Sequence, residues 1–114
     1  IKDDKKVFLA NKDRFLNEFS NSKHNVVKLG LITIYFDFLN HFEEKEVSKI
    51  KTIVLNWTKN SSDWMILAQG MKLLEKLSKS DKSLKLKLIE VAKRLKNDER
   101  KVVRTKAQKI LEDN

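Results

Sequence analysis

Residues 63–97 read DWMILAQGMKLLEKLSKSDKSLKLKLIEVAKRLKN, and the division of this stretch decides the fold. Met71, Leu74 and Leu77 recur at helical spacing, and Lys76 and Lys79 sit where the negative end of a helix dipole favours cations. This predicts one helix over 64–79. Ser80-Asp81 then offers a side-chain acceptor for a new helix start. Leu84, Leu88, Val91, Ala92 and Leu95 form the inward stripe of a second helix over 82–96. The pairs Glu75–Lys79, Asp81–Lys85 and Glu90–Arg94 place an acid four residues before a base, a spacing worth ~0.2–0.5 kcal/mol per pair on an exposed helix. The stretch is therefore two helices joined by a short polar turn.

The same reading extends in both directions. Residues 6–21 form a helix candidate with Phe8, Phe15 and Phe19 in one stripe, ended by Ser20-Asn21-Ser22. Residues 25–40 are the most apolar, and their length favours a helix buried on several sides. The β-branched and aromatic residues of 31–38 make a strand the competing expectation. In 44–60, Val47, Ile50, Ile53, Val54 and Trp57 share one face, and Glu43, Glu44 and Glu46 crowd its positive end. Asn60-Ser61-Ser62-Asp63 is a loop with a cap, and Asn97-Asp98 caps a last helix over roughly 99–112.

Six helices with short polar connections raise the question of self-similarity. Val27-x-x-Gly30, Leu67-x-x-Gly70 and Arg104-x-x-Ala107 place a small residue at one point of alternate helices, 40 and 37 residues apart. Four residues later stand Ile34, Leu74 and Leu111. A small residue lets two helix backbones cross closely, so Gly30, Gly70 and Ala107 are expected at buried crossings. Packing there offsets the ~1 kcal/mol that a helical glycine costs relative to alanine.

The segment Val103-Arg104-Thr105-Lys106-Ala107-Gln108-Lys109-Ile110-Leu111, preceded by Asp98, resembles the HEAT repeat family. The match weakens through Asp63…Leu67…Gly70…Leu74 to Asn25…Val27…Gly30…Ile34, and the family's common first-helix proline is missing. The resemblance implies an all-α, right-handed solenoid of antiparallel helix pairs, with second helices lining a concave partner-binding surface. The units are then an N-terminal helix (1–24), two repeats (25–60 and 61–97) and a half-repeat (98–114).

Composition narrows the chemistry. The 114 residues include no cysteine, no proline and two glycines, which excludes disulfides, thiol catalysis and glycine-rich phosphate loops. The paired carboxylates Asp3-Asp4, Glu43-Glu44 and Asp98-Glu99 lie at termini or helix starts, where capping accounts for them. His24 and His41 lack a nucleophile or ligand neighbour in sequence, and Trp57 reads as core. Trp64 beside Asp63 faintly resembles DNA alkylation-repair glycosylases built from HEAT-like repeats, but two residues are too little to carry that activity over. No cofactor or metal site is expected, and a non-catalytic role is. The longest apolar run, 29–39, is too short to span a bilayer, so no membrane partner and a cytoplasmic location are expected.

Charge is the strongest functional feature. The net charge is +9, and residues 61–114 carry 14 basic and 8 acidic residues, most of the excess. The outward face of the second helices offers Lys49, Thr52, Asn56 and Lys59, then Lys82, Leu86, Ile89, Lys93 and Arg94. A protein partner would anchor on Leu86 and Ile89. The alternative, nucleic acid, would use the lysines for phosphates with little base reading. The expected role is a protein-interaction scaffold, with oligomeric state left open.

Overall fold

The computed structural model describes residues 2–114, with side chains from residue 6 onward. The pair Asp3-Asp4 lies outside the described side chains. Among the described residues there are six α-helices: α1 (Lys2–Asn17), α2 (Asn25–Asp37), α3 (Glu44–Asn60), α4 (Trp64–Leu77), α5 (Lys82–Leu95) and α6 (Lys101–Glu112). Among the described residues there is no strand, and residues 31–37 lie in α2.

The helices start where cap chemistry allows. Asp63 accepts from the Met65 and Ile66 N–H groups at 2.9 and 3.2 Å, and Asp81 from Leu84 N–H at 3.1 Å. Glu43 N–H donates to Glu46 Oε1 at 2.7 Å, so the crowded acids are half of a capping box. α6 begins later than its sequence suggests. Asp98 accepts the Arg100 N–H at 2.9 Å in a local turn, which delays the helix to Lys101.

Polar contacts fix the helix directions. Near their N-terminal ends, Asn25 Nδ2 donates to Asp63 Oδ2 at 3.3 Å; near their C-terminal ends, Lys76 donates to the Phe36 carbonyl at 3.1 Å. α2 and α4 therefore run parallel. Arg100 to the Ser62 carbonyl (2.5 Å) and Lys106 to Glu75 (2.6 Å) align α6 with α4. On the other side, Lys12–Glu46 (2.7 Å) and Lys49–Asn17 align α1 with α3. Lys51–Asp81 (2.8 Å), with Arg94 donating to the Thr58 and Lys59 carbonyls (both 2.7 Å), aligns α5 with α3. The result is one layer of α2, α4 and α6 and another of α1, α3 and α5. The core between them includes Ile50, Val54, Ile66, Met71, Leu74, Leu88, Val103 and Ile110. Trp57 is buried, as its helical face predicts. Phe8 stacks on Phe38 with ring centroids 4.4 Å apart, and Tyr35 and Phe42 pack edge-on at 5.9 Å.

These contacts correct the three local ion pairs. Glu75 meets Lys106 instead of Lys79, Asp81 meets Lys51 instead of Lys85, and Arg94 turns to the end of α3 instead of Glu90. A surface i, i+4 pair is weak, whereas a guanidinium at a helix C-terminus satisfies carbonyls that have no intrahelical donor.

The small residues divide. Gly70 and Ala107 are buried, and a Cβ at Gly70 would lie 2.2 Å from Thr58 Cγ2 on α3. Gly30 is the exception: it is exposed, and a Cβ there would meet nothing within 4 Å. The reason is angular: Gly30 falls with exposed Val26, Thr33 and Asp37 on the outward face of α2, while Leu31, Ile32 and Tyr35 turn inward. Gly30→Ala should consequently raise stability by up to ~1 kcal/mol in urea unfolding, since it gains propensity and meets no steric cost. A loss of stability would show that Gly30 makes a close contact.

Candidate interaction surfaces

The outward positions of α3 and α5 follow from the buried stripes opposite them. Ile50, Val54 and Trp57 turn inward on α3, which leaves Lys49, Thr52, Asn56 and Lys59 exposed. Leu84, Leu88, Val91 and Leu95 turn inward on α5, leaving Lys82, Leu86, Lys93 and Arg94 exposed and Ile89 half-buried. Leu86 retains 66% of its surface.

Lys49, Thr52 and Asn56 line a hollow of about 360 Å³ between α1 and α3, floored by Ile53 and Trp57 and rimmed by Asn17 and Asn21. Lys49 is hydrogen-bonded to Asn17 across it. Arg94 touches Lys59 by donating to its backbone carbonyl, so its guanidinium is committed to the end of α3. Lys82, Leu86, Ile89 and Lys93 make up the remaining α5 surface.

The opposite layer holds a group that the sequence reading passed over. Lys72, Lys76, Lys79 and Lys106 surround Phe36 and Glu75 in a shallow hollow of about 300 Å³. The Lys72 and Lys76 ammonium groups stand 4.9 and 4.1 Å from the Phe36 ring centroid. The signal was present as lysines at i, i+4 and i+7, two on α4 and Lys79 in the turn that follows it. Reading Lys76 and Lys79 as compensation for the helix dipole hid it. A second pattern also became visible only after folding. Val26, Trp64 and Val102 are exposed and recur 38 residues apart at the starts of the three parallel helices.

The Asp98 and Asp81 carboxylates have structural partners. Hydrogen bonds from the Arg100 side chain and backbone hold the Asp98 carboxyl at about 2, and the hydrogen bond from Lys51 holds Asp81 below the usual carboxylate range. His41 packs against the Phe8 and Phe38 rings, and His24 precedes α2 without capping it. Trp64 is exposed, but the Asp63 carboxylate beside it caps α4. Among the described residues, no three His, Asp or Glu side chains converge as a metal ion requires, and no helix is long and apolar enough to cross a membrane. No family model, curated protein or solved structure matches this chain, so its geometry carries the functional reading.

Proposed function

We propose that the chain is a non-catalytic interaction module: a short, right-handed HEAT-like stack of helix pairs that takes a protein partner on the α5 face. Two layers of parallel helices, joined by short turns, support the stacked reading. The observation that carries the binding site is Leu86, an apolar side chain left 66% exposed in the middle of α5 with half-buried Ile89 nearby. Truncation energies concentrate in a few residues desolvated at the centre of an interface, the place an exposed apolar side chain suits, while rim charges contribute mainly to encounter.

The experiment crosslinks a photoreactive residue at position 86 in extracts of the source cells and identifies the partner. Its affinity is then measured against Leu86→Asp and Lys93→Ala across salt concentrations. Leu86→Asp should weaken binding by tenfold or more and Lys93→Ala by far less, because a charge at the centre must be desolvated unpaired. The reverse order, with a steep salt dependence, would favour nucleic acid on this face. Equal and negligible effects would mean that the face is only solvated.

A further inference from the structure

We propose that the α4–α6 lysine cluster is a second binding surface, separate from the α5 face, that holds the phosphate backbone of nucleic acid. Lys72 and Lys76 lie one turn apart on α4, about 6 Å at 1.5 Å per residue, and Lys79 continues the row from the 3-10 turn that follows the helix. Lys106 joins it from the neighbouring parallel helix. Among the described residues the only carboxylate lining the hollow is Glu75, which Lys106 neutralises at 2.6 Å. The hollow therefore keeps a net positive charge. With Lys106 beside them, these lysines can meet successive phosphates of one strand.

The residue types decide the ligand class. Ammonium groups act as point charges toward phosphate, and none of the lining side chains presents the planar fork that reads base edges. Phe36 is half-buried under Lys72 and Lys76, so it offers no face for base stacking. The same covering argues against an anionic membrane. A peripheral membrane surface sets exposed apolar side chains among its cations, whereas the exposed apolar residues Val26, Leu86 and Val102 do not line this hollow. Lys76 is already anchored by its bond to the Phe36 carbonyl, which fixes one charge in place before a ligand arrives.

The test is fluorescence anisotropy with a labelled 20-base-pair DNA duplex, the single strand of the same length, and phosphatidylserine vesicles. Three proteins are compared: wild type, Lys72→Gln/Lys79→Gln and Lys82→Gln/Lys93→Gln. Both double variants lose the same charge, but only the first touches the lysine row. Wild type should bind duplex or single strand at 50 mM salt. With a slope of about −0.9 per phosphate contact, removing two contacts lessens the affinity lost between 50 and 200 mM salt by roughly tenfold. The α5 variant should stay within twofold of wild type. Equal losses in the two variants would reduce the effect to net charge and overturn the site. Absence of nucleic-acid binding at 50 mM salt, or binding to vesicles alone, would overturn the ligand class. None of these outcomes depends on whether Leu86 anchors a protein.

Discussion

Gly70→Leu should destabilise the protein by ~1–3 kcal/mol in urea unfolding, although leucine is the better helix former by most of 1 kcal/mol. The sign is set by Thr58. A Cβ at position 70 already lies 2.2 Å from Thr58 Cγ2, and Val54 Cγ1 stands behind at 3.9 Å. Thr58 is fully buried, and its hydroxyl donates to the Leu55 carbonyl at 2.9 Å. Swinging the methyl aside would break that bond in a place where water cannot replace it. Either the bond or the α3–α4 spacing must give. Gly70→Ala should act in the same direction with a smaller effect. Thr58→Ser, which removes the methyl and keeps the hydroxyl, should recover part of that loss, with a coupling of ~0.5–3 kcal/mol in a double-mutant cycle. A Gly70→Leu protein as stable as the parent would show that the crossing is loose.

Gly70 was legible in the sequence because its surroundings repeat what a two-helix unit requires. The same motif misled at Gly30, because a motif records spacing along the chain and not which face of the helix turns inward. Gly30 shares the outward face of α2 with Val26, Thr33 and Asp37, and the choice of that face is made by the tertiary packing of Leu31, Ile32 and Tyr35. Helix number and the breaks between helices could be read because serine, asparagine and aspartate compete locally for backbone hydrogen bonds. The ion pairs could not, since each half-buried pair joins residues about 30 apart: Lys12 with Glu46, Lys51 with Asp81, Glu75 with Lys106. Of the surface, the outward turn of Leu86 followed from angle alone. The lysine cluster depended on two helices lying side by side, and the commitment of Arg94 to the end of α3 depended on two helices ending together.

Tyr35→Ala should cost ~3–5 kcal/mol, the range for truncating a buried aromatic, and should loosen α1 before the rest of the fold. The last four carbonyls of α1 have no partner further along a regular helix. Glu18 N–H serves Arg14, Ser20 Oγ serves Leu16 at 2.6 Å and Asn21 Nδ2 serves Asn17 at 2.8 Å. The Phe15 carbonyl is served from another helix, by the Tyr35 hydroxyl at 2.6 Å. Tyr35 is thus the polar bolt of an otherwise aromatic α1–α2 contact. Tyr35→Phe keeps the ring and removes the bolt, so it should cost less, ~1–3 kcal/mol for one carbonyl left unsatisfied. Burial also raises the Tyr35 ionisation above the ordinary phenol value of ~10. The neutral phenol is therefore the form that the fold prefers. Its contribution is complete below pH ~10 and declines above it, where the unfolded chain ionises first. The stability gap between wild type and Tyr35→Phe should narrow from pH 8 to pH 10.5 in paired urea titrations. Hydrogen exchange should report the greatest loss of protection in α1 for Tyr35→Ala. Uniform loss across all six helices would mean that α1 is no separate unit, and that its contact with Lys49 and Glu46 of α3 holds it as firmly as the aromatic cluster does.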